Sequence, residues 1–225
     1  MSVFGILATP VHCQIPTWNS QCRSVESRRC QCITRFRCRK TSLKDGSFFL
    51  YLPLKQQLVD LLENHEISSL LYDNQQVSNT GDLCDIFYGQ IYCTLPLPDK
   101  FSRISLTMNC DGVPVFKSLL FSIWPILCIV NELPANIRHN HVLMTALWFG
   151  SGKRNMNDFF KPFVDECTIH DQDGFSWNNC LTKTGIVTRV SVIVGVCDAV
   201  ARPLIQNFSQ FNGYYGCGYC LDEGD

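Results

Sequence analysis

Residues 186–198 read Ile-Val-Thr-Arg-Val-Ser-Val-Ile-Val-Gly-Val-Cys-Asp, a β-branched run that ends on an aspartate. Such a nearly continuous apolar run predicts a central strand, buried on both faces beneath helices. Side chains at the carboxyl ends of strands in an α/β sheet project into the crevice where these folds place their ligands. Asp198 is therefore a candidate functional carboxylate. The alternative is that it caps a following helix, predicted over 199–208.

A second aspartate follows an earlier strand. Apolar and polar residues alternate over 104–110, which predicts a strand. Asp111-Gly112 then predicts a type I′ hairpin turn, in which both central residues have positive φ. Two more strands are expected within 113–131, so that three consecutive antiparallel strands form. Asp111 is either the first residue of that turn or, paired with Asp198, a ligand of divalent metal ions.

The rest of the chain shows shorter periodic segments, interpreted by their spacing. The predicted elements are a strand over 48–52, a helix over 54–62, a weak strand over 85–93, a helix over 157–167 with Asn157 as its N-cap, and a polar loop over 168–185.

The chain has 225 residues, of which 46% are hydrophobic and 17% charged, and its formal net charge is −1. This composition excludes a disordered chain, and the charge argues against a uniformly basic nucleic-acid binder. The charge is unevenly distributed, because residues 1–50 carry eight Lys or Arg against two acidic residues. This basic arm is either a solvated segment or a patch for nuclear import or phosphate contacts.

The fourteen cysteines bear on the cellular compartment. The apolar run Val3–Ala8 is too short for a signal peptide, and no Lys or Arg precedes it. No apolar tract approaches the roughly 20 residues of a membrane span. We therefore expect a nuclear or cytoplasmic protein, neither secreted nor membrane-bound, with reduced cysteines. Buried thiols are expected at Cys110, Cys128, Cys167 and Cys197.

Cys217 and Cys220 form a CxxC pair at a spacing that suits zinc. A tetrahedral zinc site needs four ligands, so this pair is half of a site. The alternatives are a redox pair or a structural loop. The cysteines of residues 1–46 are a weaker zinc candidate, because their spacing fits a tetrahedral site less well.

Three cations are candidate contacts to DNA phosphates. Lys153 and Arg154 lie in a polar loop, and Arg202 lies one helical turn after Asp198. Basic side chains near a metal site bind phosphate oxygens and position a nucleic acid. The alternative is that they are ordinary surface charges.

Several longer motifs occur in a fixed order along residues 47–225. They are Thr107-Met-Asn-Cys-Asp-Gly-Val-Pro-Val-Phe-Lys-Ser118, Trp124-Pro125, Asn131-Glu-Leu-Pro134, Leu147-Trp-Phe-Gly150, Phe160-Lys-Pro-Phe-Val164, Val196-Cys-Asp-Ala-Val-Ala-Arg202 and Gln210-Phe-Asn-Gly-Tyr-Tyr-Gly-Cys-Gly-Tyr-Cys-Leu221. In this order they closely resemble the transposase-domain proteins related to the CACTA (En/Spm-type) DNA transposons.

The resemblance implies an RNase H-like α/β fold, a mixed sheet flanked by helices, with an acidic DDE/D site that binds Mg²⁺ or Mn²⁺. Asp111 matches the first catalytic aspartate of the family and Asp198 the second. Val200 stands where the family usually has proline. The third acid and the remaining zinc ligands are expected beyond Asp225, so we expect an incomplete domain that holds only the start of a zinc-binding insertion.

These expectations divide the chain into three parts. They are a basic, cysteine-containing arm over 1–46 (disordered or zinc-binding), a helical or irregular linker region over 47–101, and the amino-terminal part of the transposase domain over 102–225. The expected function is DNA transposition, ancestrally by metal-dependent strand cleavage and transfer, with weak or no activity. The alternative is a non-catalytic, domesticated DNA- or protein-binding module. DNA is the expected partner, self-association is left open, and no small-molecule cofactor is expected.

Overall fold

The computed structural model describes residues 34–36, 47–74, 85–94, 103–115, 121–151, 155–207, 209–210 and 213–216. Its strands are β1 (Thr34–Phe36), β2 (Phe48–Tyr51), β3 (Arg103–Cys110), β4 (Val113–Pro114), β5 (Phe121–Val130), β6 (Leu143–Ser151), β7 (Phe175–Asn179) and β8 (Thr184–Val196). Its helices are α1 (Leu54–Leu62), α2 (His65–Asn74), α3 (Gln90–Cys93), α4 (Ala135–Arg138), α5 (Met156–Gln172) and α6 (Ala201–Gln206), with a 3₁₀ turn at Ile86–Tyr88.

The strands form one mixed sheet in the order β1-β2-β6-β5-β3-β8-β7, and β4 pairs with β5. β3, β5 and β6 are antiparallel neighbours. β8 lies on the other side of β3 and runs parallel to it. The mixed α/β sheet flanked by helices that the sequence predicts is therefore confirmed.

The hydrophobic core lies between one face of this sheet and helices α1 and α5. Side chains along β5 are alternately buried and half-exposed, so that one face of the strand packs into the core. Leu54, Leu58 and Leu62 of α1 are fully buried, as the leucine spacing predicts. β2 pairs with β6, so residues 48–62 share this core with the later strands.

The side chain of Glu166 in α5 forms hydrogen bonds with the first residues of α1. Its two carboxylate oxygens accept hydrogen bonds from the backbone N–H groups of Leu54 and Lys55, both at 2.9 Å. These N–H groups have no partner within their own helix, so a carboxylate from a neighbouring helix supplies the missing acceptor. The hydroxyl of Tyr51 donates to the same carboxylate, and burial raises the pKa of this hydroxyl.

The predicted hairpin turn at Asp111-Gly112 is wrong. Among the glycines described by the structure only Gly174 has positive φ, and β4 pairs with β5 rather than with β3. The glycine is required for a different reason: a Cβ at position 112 would overlap the indole ring of Trp124. Close approach between the backbone and a side chain, not turn geometry, selects glycine here.

Two other sequence predictions are wrong for segments that lie near the sheet. The weak strand expected over 85–93 is a 3₁₀ turn followed by α3. The loop expected over 168–185 contains the last turn of α5 and all of β7. Residues of β7 are alternately buried and exposed, so a period of two is present there with few aliphatic residues to signal it.

The helix predicted over 157–167 is confirmed, although its N-cap is Asn155 rather than Asn157. The Asn155 side chain accepts a hydrogen bond of 3.0 Å from the backbone N–H of Asn157. The strand predicted over 186–196 is also confirmed, but its burial on both faces is wrong. Val187 and Val196 remain 59% and 49% exposed.

Candidate functional site

Parallel pairing brings the two candidate aspartates to one end of the sheet. The last paired residues of β3 and β8 are Asn109 and Val196. Asp111 and Asp198 each lie two residues beyond that pair. Because parallel strands end on the same side, the two aspartates follow the sheet at the same end although they are far apart in the sequence. We call this the aspartate end of the sheet.

Asp111 lies in the two-residue connection between β3 and β4. Its side chain is half-buried, and its Oδ1 atom accepts a hydrogen bond of 2.6 Å from the backbone N–H of Gly112. This bond fixes the orientation of the carboxylate. This bond uses only the Oδ1 atom of Asp111. A structural role for that oxygen is therefore compatible with a second role for Oδ2.

Asp198 caps the short helix α6. Its Oδ1 atom accepts hydrogen bonds from the backbone N–H groups of Val200, at 2.9 Å, and of Ala201. The capping role considered from the sequence is thus present. Within the described residues the hydrogen bonds to Asp111 and Asp198 all use Oδ1, which leaves Oδ2 of each carboxylate for a ligand.

Two further side chains, the half-buried thiol of Cys197 and the cation Arg202, lie close to Asp198 in the sequence. The backbone N–H of Arg202 donates to the carbonyl oxygen of Asp198 at 3.0 Å, which places Arg202 one turn along the chain. Burial raises the pKa of the Cys197 thiol; the charge of Arg202 lowers this pKa, and the charges of Asp198 and Asp111 raise it. Cys197 directly precedes Asp198, so this half-buried thiol lies at the aspartate end of the sheet.

Three of the four thiols predicted to be buried are confirmed. Cys110 and Cys128 are fully buried and Cys167 is 6% exposed. Burial raises the pKa of Cys167 to about 12, so this thiol stays protonated and packs as a small hydrophobic group. Cys197 differs, because it is only half-buried at the aspartate end.

The other residues predicted for the site lie outside the described residues. These are Lys153, Arg154, Cys217 and Cys220, together with the cysteines of the amino-terminal arm. β6 ends at Ser151, which pairs with Phe121 at the start of β5. The strand that precedes the basic loop therefore ends on the same side of the sheet as β3.

The donor atoms at the aspartate end suit a hard divalent cation. Mg²⁺ and Mn²⁺ prefer carboxylate and other oxygen ligands, and among the described residues nothing donates a hydrogen bond to the Oδ2 atom of Asp111 or of Asp198. Among the described residues, no group of three or more His, Cys, Asp or Glu is arranged to hold a metal ion. The described part of the chain thus offers two carboxylate ligands for such an ion.

A polar network around Glu132 lies at the end of the sheet opposite to the aspartates, and the sequence did not predict it. Glu132, 5% exposed, accepts hydrogen bonds from the backbone N–H of Ser105 at 2.9 and 3.0 Å and from the Ser105 hydroxyl at 2.8 Å. The hydroxyl of Tyr92 donates to it at 3.3 Å. Burial raises the pKa of Glu132 to about 7. We call this the glutamate end.

One signal in the sequence points to Glu132. It is a charged residue placed two positions after a long apolar strand. Charged side chains that close to a core strand are rare unless they are paired or hydrogen-bonded. The partners themselves come from β3 and α3, and no local pattern connects those segments.

The fold and the site together define an α/β protein that presents two carboxylates at one end of a mixed sheet. Residues 96–225, more than half of the chain, match the sequence model described as transposase family tnp2. The chain therefore belongs to this transposase family. Both aspartates lie within the matched region. No curated protein matches the chain.

None of the helices that the structure describes is long and apolar enough to cross a membrane.

Proposed function

We propose that this transposon-derived chain is of the CACTA (En/Spm) type and that its aspartate end is the metal site of an RNase H-like domain for DNA strand cleavage and transfer. One observation carries the proposal: Asp111 and Asp198 each lie two residues beyond the last pair of two adjacent parallel strands. The tnp2 match supports it, since both aspartates lie inside the matched region.

The order of the strands supports the finer assignment of the fold. The resemblance expects the first acid on the first core strand and the second acid on a later strand. β3 is followed by antiparallel β5 and β6, then by α5, and then by β8, which returns parallel to β3. This order of β3 and β8 supports the proposal that the two acids are those of an RNase H-like core.

In this mechanism Asp111 and Asp198 would hold the cation through their carboxylates, while backbone N–H groups fix the Oδ1 atom of each. A bound Mg²⁺ or Mn²⁺ supplies charge stabilisation at a phosphate and activation of an attacking oxygen. Arg202, next to Asp198, binds a non-bridging phosphate oxygen of the DNA and orients it. Lys153 and Arg154 contribute further phosphate contacts.

We expect a low cleavage rate. The described residues contribute two carboxylates, whereas the DDE/D site implied by the resemblance uses three. A third acidic ligand fixes the geometry of the cation, so a site with two ligands holds it less tightly. Cys217 and Cys220 are, in the same proposal, half of a zinc site, and the protein acts in the nucleus.

A nicking assay tests the proposed function. Supercoiled plasmid DNA is incubated with the full chain and Mg²⁺ or Mn²⁺, and the relaxed product is measured. Cleavage is expected to disappear in Asp111→Ala and in Asp198→Ala. Asp173→Ala is the matched control, because this exposed carboxylate follows the far end of α5. Metal-dependent cleavage that neither aspartate substitution reduces would overturn the assignment.

The charge of the amino-terminal arm favours a second candidate function, a non-catalytic DNA-binding module. Residues 1–50 carry eight basic residues against two acidic ones. Binding through such an arm weakens steeply with salt. This candidate predicts salt-dependent DNA binding that persists in the Asp111→Ala/Asp198→Ala double variant and is lost when residues 1–46 are deleted. The reverse pattern would refute it.

A further inference from the structure

The register between β3 and β8 changes by one residue along the strands. Ile104 pairs with Val190 and Leu106 with Val192, so the paired positions are 86 apart. Thr107 pairs with Val194 and Asn109 with Val196, so there they are 87 apart. The extra residue in β8 is Ile193, which is 7% exposed. The bulge therefore lies at a buried position of β8.

The shift decides which residue of β8 lies level with Asp111. In the register of the last pairs, Asp111 is level with Asp198, since these positions are also 87 apart. In the earlier register Asp111 would be level with Cys197. Successive side chains of a strand point to opposite faces, so a slip of one residue would turn Asp198 away. Continued past the strand ends, the register set by the bulge brings Asp111 level with Asp198 rather than with Cys197.

A side-chain hydrogen bond fastens the two strands just before the aspartates. The Nδ2 atom of Asn109 donates to the carbonyl oxygen of Val196 at 3.1 Å. Asn109 lies two residues before Asp111, and Val196 lies two residues before Asp198. The pairing of β3 with β8 ends at these same residues. The amide of Asn109 is thus an additional link at the point where backbone pairing stops.

We propose that Asn109 is a positioning residue for the cation: its amide holds the end of β8 in the bulged register, so that Asp111 and Asp198 face one Mg²⁺ or Mn²⁺ ion. This inference rests on the proposed function. It adds a residue that does not itself bind the ion. The side chain is only half-buried, so it does not form part of the hydrophobic core.

Manganese binding by the full chain tests the role of Asn109 without requiring DNA cleavage. Free Mn²⁺ is measured by electron paramagnetic resonance while protein is added. Asn109→Leu keeps the size of the side chain and removes the donor, whereas Asn109→Gln keeps a donor. Asn140→Leu is the control, because Asn140 lies in an exposed turn at the opposite end of the sheet. Thermal unfolding of each variant is followed in parallel.

Asn109→Leu is expected to weaken Mn²⁺ binding about tenfold, the lower range for loss of an outer-sphere partner. Its unfolding temperature is expected to stay close to that of the wild type, and Asn109→Gln is expected to recover most of the affinity. Unchanged affinity in Asn109→Leu, or equal losses in the Leu and Gln variants, would overturn the inference.

Asp111→Ala and Asp198→Ala distinguish an error in the role of Asn109 from an error in the proposed metal site. If these two variants abolish Mn²⁺ binding while Asn109→Leu leaves it intact, the metal site is supported and only the positioning role of Asn109 is refuted. If the wild type shows no Mn²⁺ binding that depends on the two aspartates, both proposals fall.

Discussion

The two ends of the sheet use carboxylates in opposite ways. At the glutamate end, Glu132 is 5% exposed and accepts hydrogen bonds from Ser105 and Tyr92 through both of its oxygens. At the aspartate end, Asp111 and Asp198 are more exposed and use one oxygen each. The two ends are separated by about 20 Å, the length of six residues of β3.

This difference distinguishes a structural carboxylate from one that is available to a ligand. A buried carboxylate whose oxygens are all occupied by donors stabilises the fold, since removing it leaves those donors without a partner. A carboxylate that is held by one oxygen is oriented and still has coordination capacity. The predictions below test this contrast, in order of decreasing effect on the free energy of unfolding.

Removal of the Glu132 carboxylate is expected to have the largest effect. Glu132→Ala leaves the Ser105 N–H and hydroxyl and the Tyr92 hydroxyl without their acceptor. We expect a loss of about 4 kcal/mol in the free energy of unfolding, measured by urea denaturation at neutral pH. Asp111→Ala is the comparison at the aspartate end, expected to cost less than about 1 kcal/mol. Equal losses in the two variants would contradict the contrast.

The stability of the protein is expected to depend on pH through Glu132. Burial raises the pKa of this carboxyl from 4.5 to about 7. Between these values the unfolded chain releases the proton and the folded chain keeps it, so stability falls as the pH rises. The contribution is fully present below pH 4.5 and is lost as the pH passes about 7. Its size is about 3 kcal/mol.

Urea denaturation from pH 4 to pH 8, compared between the wild type and Glu132→Gln, isolates this contribution. The difference in free energy of unfolding between the two proteins is expected to change across this pH range. A constant difference would show that Glu132 does not titrate there.

Gly112→Ala is expected to lower the free energy of unfolding by less than Glu132→Ala does, because Gly112 packs closely against Trp124. The added Cβ would overlap the indole of Trp124, and the backbone beside Asp111 has to shift. We expect a loss of about 2 kcal/mol, typical of overpacking. Gly185→Ala is the matched control, since nothing lies within 4 Å of a Cβ at that strand position. Thermal denaturation that separates the two variants supports this account; equal melting would refute it.

The hydrogen bonds that Asp198 accepts at the start of α6 predict a smaller effect on stability than the overpacking in Gly112→Ala. Asp198→Ala removes the acceptor for two backbone N–H groups and is expected to cost about 1 kcal/mol. Asp198→Asn keeps a capping oxygen, so it is expected to retain the stability while losing the charge that binds a cation. Calorimetric unfolding checks the first effect, and Mn²⁺ titration checks the second. Loss of stability in Asp198→Asn comparable to that in Asp198→Ala would contradict the capping role.

Local patterns in the sequence predict much of this fold. The alternation before Cys110, the leucine spacing of α1 and the β-branched run of β8 each predict an element that the structure confirms. The positions of Asp111 and Asp198 just after their strands follow from the same patterns. These features depend on neighbours within a few residues, and such neighbours are visible in one sequence.

Features that depend on distant partners were not predictable in this way. The bulge at Ile193 requires the register of β8 against β3, and the burial of Glu132 requires Tyr92 from a different segment. The reason for Gly112 is the ring of Trp124 on a neighbouring strand. In each case the decisive contact joins two elements, so the sequence pattern of one element carries no trace of it.

Cleavage of the polypeptide by bound iron tests the metal site most directly. Fe²⁺ replaces Mg²⁺ in the full chain, ascorbate and hydrogen peroxide are added, and the cut positions are mapped by mass spectrometry. The account predicts cuts near both Asp111 and Asp198, suppressed by excess Mg²⁺ and absent in the Asp111→Asn/Asp198→Asn double variant. Cuts that avoid these two segments, or that persist in the double variant, would contradict it.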